Sequence, residues 1–254
     1  MKNGFENEEG IVCGRNSVLE AVTSGRNIDC LYLQKGLSGG SLGAIIKECR
    51  ERHILIKETA REKLDSLVPG ENHQGVAAVA AAAEYAELEE LVTQAKSKER
   101  PPLFIALDGI EDPHNLGAII RTAEAVSADG VIIPKRRSAG LTAAVAKSAC
   151  GALEHMPVAR VPNMTAALET LKKQGLWIFG AQLGETDWNQ ADFTVPAVLV
   201  IGGEGGGLSR LVKESCDFLV TIPMFGKINS LNASVACGIL LYEAVRQRMS
   251  RFVW

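Results

Sequence analysis

No run in this 254-residue chain is apolar enough to cross a bilayer. The longest apolar-rich stretch, 233–245, is broken by Ser234, Glu243 and several small residues. The first ten residues, MKNGFENEEG, contain no apolar core and so lack the makings of a secretory signal. Both shortages predict a soluble, cytoplasmic protein with no membrane partner. The six cysteines, at 13, 30, 49, 150, 216 and 237, include no CxxC pair, and the four histidines complete no zinc pattern. They are expected as buried thiols in a reducing compartment, with no metal. Internal repeats, low-complexity tracts and an excess of one charge are also missing. Formal net charge is −3, with 13 basic against 16 acidic side chains in residues 1–100 and 14 of each in 101–254. A nucleic-acid partner must therefore be met by a local patch rather than a basic body. Candidates for such a patch are Lys135, Arg136 and Arg137, and further on Arg246, Arg248 and Arg251.

What is present is ordinary globular material, 46% hydrophobic and 22% charged, enough for one large domain or two modest ones. A polar Glu- and Lys-rich stretch, 84–102, ends in Pro101-Pro102 and reads as a helix or linker between domains. Before it, helical spacing at 16–22, 42–52 and 60–68 alternates with strand-like 30–34 and 53–56 and the small apolar run 75–83. This predicts a compact α/β domain over 1–83. After it, the near-continuous apolar runs 103–107, 131–133, 177–179, 198–201 and 218–222 suit strands buried on both faces. Helical segments at 116–126, 141–150, 165–174, 208–216 and 231–249 separate them. The 103–254 region is thus predicted as a doubly wound, mostly parallel α/β domain, with ligands beyond the carboxyl ends of its strands.

Three of those strand ends are unusual. The first, starting at Asp108, leads through Asn115, a plausible helix N-cap, to Arg121 about two turns on. The second places five glycines in six residues, Gly202, Gly203, Gly205, Gly206 and Gly207, around Glu204. Glycines allow close backbone approach to a ligand and positive φ. Neither phosphate motif fits, because the third glycine of GxGxxG falls on Leu208 and no Gly-Lys-Ser/Thr follows. The third sets apolar Ile222, Met224 and Leu231, able to clasp a flat ring, among Ser230, Asn232 and Ser234, with Asn229 or Ser230 expected to cap the last helix.

DGIEDPHNLGAIIRTAEA (108–125), VLVIGGEGGGLSRLV (198–212) and VTIPMFGKINSLNASVACGILLYEA (220–244) resemble, in order and spacing, the three motifs of the SpoU/TrmH group of SPOUT RNA methyltransferases. CGRNSVLEA (13–21) and HQGV (73–76) resemble the RNA-binding accessory domain of that group's large-subunit rRNA guanosine 2′-O-methyltransferases, an L30e-like fold. The resemblance implies a SPOUT domain with a deep trefoil knot, an exception to the rule against knotted chains. It implies S-adenosylmethionine as cofactor, RNA as partner, and a homodimer built on the first motif and last helix. It places Gly202, Gly203, Ile222, Met224, Leu231 and Ala233 at the methyl donor. Asn115, Arg121, Glu204, Ser230 and Asn232 become the catalytic and RNA-facing set. Arg15, Asn16, Lys135, Arg136 and Arg137 are candidates for RNA backbone contacts. The implied reaction is methylation of a ribose 2′-hydroxyl on an rRNA guanosine. The alternatives are a tRNA substrate or a non-catalytic RNA-binding assembly factor.

Overall fold

The computed structural model describes residues 10–37, 39–203, 205–249 and 251. They form two compact units, 1–84 with 140–144, and 85–139 with 145–254. Among the described residues, no helix is long and apolar enough to cross a membrane.

In the first unit the order is β1 (Ile11–Cys13), α1 (Arg15–Thr23), β2 (Ile28–Gln34), α2 (Gly40–Glu51), β3 (Leu55–Thr59), α3 (Arg61–Leu67) and β4 (Val76–Ala80). The sheet runs β1-β4-β2-β3, with β4 antiparallel to β1 and β2, and β2 parallel to β3. Period-two alternation gives each face its own core. Val76, Ala78, Leu31 and Leu33 pack with Val18, Val22, Leu42 and Ile45 of α1 and α2. Ala77, Val79 and Cys30 pack with Leu64 of α3 and with Val68.

The second unit opens with α4 (Leu88–Lys96) and continues through β5 (Leu103–Asp108), α5 (Pro113–Ala125), β6 (Gly130–Pro134) and, from Val145 on, α6 (Ala143–Ala149). Then come β7 (Val158–Val161), α7 (Met164–Lys173), β8 (Trp177–Asp187), β9 (Ala197–Gly202), α8 (Arg210–Glu214), β10 (Phe218–Thr221) and α9 (Ala233–Met249). The six strands are all parallel, in the order β10-β8-β9-β5-β6-β7. The chain moves from β5 one way to β6 and β7, then returns to build β8, β9 and β10 on the other side. The switch falls between β5 and β9, where Asp108 pairs with Gly202 at the carboxyl ends. A doubly wound sheet opens its binding crevice at such a point.

Three expectations change here. Of the two readings of 84–102, the helix holds and the linker does not: Leu88, Leu91, Val92 and Ala95, at helical spacing, bury one face of α4 in the core of the second unit against Phe104 and Ala106. Residues 140–144, expected in the second domain, group with the first unit, where the Ala82 N–H donates to Leu141 O at 2.6 Å. The strand β7 was hidden from the sequence because Arg160 interrupts its four residues.

Candidate active site

A cleft of about 670 Å³ opens beyond the carboxyl ends of β9 and β10. One wall is the turn after β9, with Gly202, Gly203 and Gly205 to Gly207. The other is the segment between β10 and α9, with Ile222, Met224, Ser230, Leu231, Asn232 and Ala233. Ala181 and Gln182 of β8 complete it. All six residues expected at the methyl donor therefore line one cavity. Glu204 lies outside the described residues.

The glycines at 202 and 203 serve the protein before any ligand. A Cβ on Gly202 would collide with the Gly207 carbonyl, and one on Gly203 with the Gly109 carbonyl. The turn folds back on itself, with Gly207 N–H donating to Gly203 O at 3.1 Å, while Gly203 N–H donates to Asp108 O at 2.8 Å. The expected role, room for a bound molecule, is thus preceded by backbone crossing. Two side chains hold the turn that the sequence did not single out. The Asp108 carboxylate accepts the Ser209 N–H at 2.7 Å. Gln182 Oε1 accepts the Leu208 N–H at 3.0 Å. Gln182 can do so because β8 leaves its ladder there: pairing with β10 jumps from Gly180 to Thr186. A glutamine just past an apolar run carries no such signal in sequence.

The helix caps also differ from expectation. Asp112, not Asn115, caps α5. Its carboxylate accepts the His114 N–H at 2.9 Å, and Pro113 occupies the first turn, where a missing N–H costs nothing. Asn115 is inside the helix and 6% exposed. Asn232, rather than Asn229 or Ser230, caps α9. Its Oδ1 accepts from Ser234 N–H at 3.0 Å, Ser234 Oγ at 2.6 Å and Val235 N–H at 3.4 Å. With the oxygen so used, the amide nitrogen turns to α5 and donates to Asn115 Oδ1 at 2.9 Å. The first and third motifs are joined through this pair.

Arg121 does not line the cleft. It is exposed on α5, roughly 9 Å along the axis from Asn115. Its guanidinium donates to Cys150 Sγ at 3.4 Å and meets no carboxylate among the described residues. Asn115 therefore orients Asn232. Ser230 is exposed at the cleft wall.

The basic candidates separate sharply. Arg136 and Arg137 are exposed beside β6, and Lys135 is half-buried. Burial, followed by the charges of Arg160 and Arg136, pushes the Lys135 ammonium below its usual range. Arg248, by contrast, is fully buried. It donates to the carbonyls of Phe193 (2.7 Å), Pro101 (2.7 Å), Pro102 (3.2 Å) and Val195 (2.6 Å), and so belongs to no RNA patch. Arg246 is bound to Glu243, and Arg251 to Thr194. In the first unit, Arg15 lines a separate open cleft with Arg61, His73 and Gln74. Gln74 Oε1 accepts the Arg15 N–H at 3.0 Å, its carbonyl accepts Arg15 Nε at 3.3 Å, and Asn16 is exposed next to them.

Residues 102–242 match the model of the SpoU rRNA methylase family. The chain belongs to the SpoU methylase family. Residues 11–86 match the substrate-binding domain of RNA 2′-O ribose methyltransferases, so both units of this SpoU protein have counterparts. A Bacillus subtilis relative, YacO, bears the name of a TrmH-family tRNA/rRNA methyltransferase and is 48% identical over 238 residues, 93% of this chain and 95% of its own. The SpoU methyltransferase AviRb of Streptomyces viridochromogenes, solved with S-adenosylmethionine, superposes with a TM-score of 0.61 at 30% identity, covering 94% of this chain and 90% of that one. An S-adenosylmethionine-bound rRNA methyltransferase of Sinorhizobium meliloti gives 0.59 at 25% identity, covering 96% and 88%. The TrmH/SpoU tRNA-modifying enzyme of A. aeolicus gives 0.55 at 30% identity, but covers 65% of this chain and 85% of its own. The protein is an S-adenosylmethionine-dependent RNA methyltransferase with a mostly parallel α/β catalytic fold. Its cleft suits that cofactor: the volume is in the range that encloses a molecule of such size. Ile222, Met224 and Leu231 offer apolar contact, and the glycine turn offers closely approachable backbone.

Proposed function

We propose that this enzyme methylates the ribose 2′-hydroxyl of a guanosine in large-subunit rRNA, acting as a homodimer. The rRNA assignment is carried by coverage. The rRNA methyltransferase of S. meliloti matches 96% of the chain, accessory unit included, whereas the A. aeolicus tRNA-modifying enzyme matches 65%. The extra unit offers an open cleft lined by Arg15 and Arg61 together with Asp65 and Glu71, and Arg15 with the exposed Asn16 next to it is the part suited to RNA backbone contacts. Lys135, Arg136 and Arg137 supply a second set. For the dimer, Val235, Tyr242 and Met249 are 50%, 57% and 68% exposed at seven-residue spacing on α9, an apolar stripe with no cover among the described residues. Tyr242→Glu is expected to yield monomers in sedimentation, and a dimer that survives it would place the contact elsewhere.

Bound S-adenosylmethionine supplies a methyl group already activated on a sulfonium. What remains for the chain is to align a weakly nucleophilic hydroxyl and to stabilise negative charge growing on its oxygen. Asn232, fixed by the α9 cap and by Asn115, sets one wall of the cleft, and Ser230 presents a hydroxyl at that wall. A guanidinium is a very poor base, so the role left to Arg121 is that of a cation toward the RNA, on the forming alkoxide or on a neighbouring phosphate.

The test is transfer of radiolabel from S-adenosylmethionine to unmodified large-subunit rRNA or tRNA, with the modified nucleotide mapped. A single 2′-O-methylguanosine in rRNA, reduced about 10²–10³-fold by Arg121→Ala, is expected. Label in tRNA alone overturns the substrate, and a wild-type rate in Arg121→Ala overturns the role of the arginine.

A further inference from the structure

We propose that Cys150 is a positioning residue for Arg121, holding the guanidinium in a defined direction without competing for it. The proposal rests on the assignment of Arg121 made above. Three contacts dock one face of α5 on residues 145–150. His114 Nδ1 lies 3.3 Å from Ser148 Oγ. At Gly117, three residues on, a Cβ would collide with that of Ser148, so the two segments touch through backbone. One turn further, Arg121 reaches Cys150 Sγ at 3.4 Å. Positions 114, 117 and 121 recur at helical spacing, so the whole seam fixes where the arginine points.

The thiol is itself oriented. Its S–H donates to Lys147 O at 3.6 Å, which leaves the sulfur lone pairs to accept from the guanidinium. The backbone at this place favours a different residue: Cys150 has φ 50 and Gly151 φ 89, a left-handed pair just after α6. A residue with a Cβ is disfavoured there relative to glycine, so the thiol sits against local preference. Sulfur is a weak acceptor, whereas a carboxylate would pair with the guanidinium through shorter, stronger bonds between opposite charges. A guanidinium resting on a thiol is thus aimed, yet passes readily to an RNA oxygen.

The experiment compares Cys150→Ala, Cys150→Ser and Cys150→Asp, each keeping a Cβ in the left-handed position, in wild-type and Arg121→Ala backgrounds. Methyl transfer is measured at saturating RNA, cofactor affinity by calorimetry, and folding by urea titration. Cys150→Ala is expected to lower kcat about fivefold, with cofactor affinity and urea midpoint unchanged. Cys150→Ser should recover most of the loss, because its hydroxyl can also donate to Lys147 O and accept from Arg121. Cys150→Asp should fall more than about tenfold, because the carboxylate retains the guanidinium. In the Arg121→Ala background all three should be silent. Wild-type kcat in both Cys150→Ala and Cys150→Asp, or equal losses in the two backgrounds, overturns the positioning role while leaving Arg121 in place. Full activity of Arg121→Ala alone overturns the earlier assignment instead.

Discussion

The helix Ala233–Met249 begins at the cleft and ends beside the buried Arg248, and its two ends are held by opposite means. At the cleft end one amide does two jobs: Asn232 caps the helix and binds Asn115, with Ser230 and Leu231 exposed beside it. At the far end Arg248 is sealed from water and bound by four carbonyls, and Glu243 is clasped by Arg246 and Gln247. The far end carries stability without chemistry. The near end carries chemistry with a modest share of stability, because a cap is worth about 1 kcal/mol. Placing the two functions on one rigid rod lets the core fix the cleft wall without entering it.

That division can be broken or sharpened by substitution. The largest effect is expected from Arg248→Leu, which strands the carbonyls of Pro101, Pro102, Phe193 and Val195. A loss of about 3–5 kcal/mol in urea unfolding should follow. A change under about 1 kcal/mol would mean that the far end is anchored by apolar packing alone. Next comes Asn232→Asp. The carboxylate can still cap, and a helix N-terminus favours it, so stability should stay within about 1 kcal/mol. The bond donated to Asn115 is lost, and methyl transfer should fall at least about tenfold. Equal activity would detach Asn115 from the site. The smallest effect concerns acid. The hydrogen bonds from Arg246 hold the Glu243 carboxyl below its ordinary 4.5, with burial opposing. Its contribution is therefore present above pH 4.5 and lost as pH falls through the lower folded value. Glu243→Gln should flatten that part of the stability–pH curve, and an unchanged acid limb would remove Glu243 from the anchor.

Sequence made the alternation of the second unit legible because strands buried on both faces are nearly continuous apolar runs. It also marked the cleft, because glycines and polar residues cluster after such runs, although Gly202 and Gly203 are needed first where backbones cross. What it concealed was the fate of individual side chains. Arg246, Arg248 and Arg251 look alike in a basic tail, yet Arg248 shares a helical face with buried Leu240, Leu241 and Ala244. That spacing was the available signal. The same holds for Leu88, Leu91, Val92 and Ala95, whose i, i+3, i+4, i+7 pattern is diluted by glutamates in a stretch that reads as a linker. Asp112-Pro113 is a stronger helix start than Asn115, because proline fits only the first turn. No local pattern could have shown Gln182 closing the glycine turn, or Cys150 meeting Arg121. Both depend on segments brought together by the sheet order.

The span of the contacts at α9 bears on how the enzyme comes to be active. The Asn232–Asn115 bond joins residues 117 apart in sequence, and Arg248 meets Pro101 across 147. Closing loops of that length is entropically costly, so such contacts are expected to form late in folding. The cleft can take shape only when they do, which makes cofactor binding a signal of completed folding. Molecules stalled on the way would leave RNA unmodified rather than modify it wrongly. By mass action the bound cofactor in turn stabilises the finished state and raises its population.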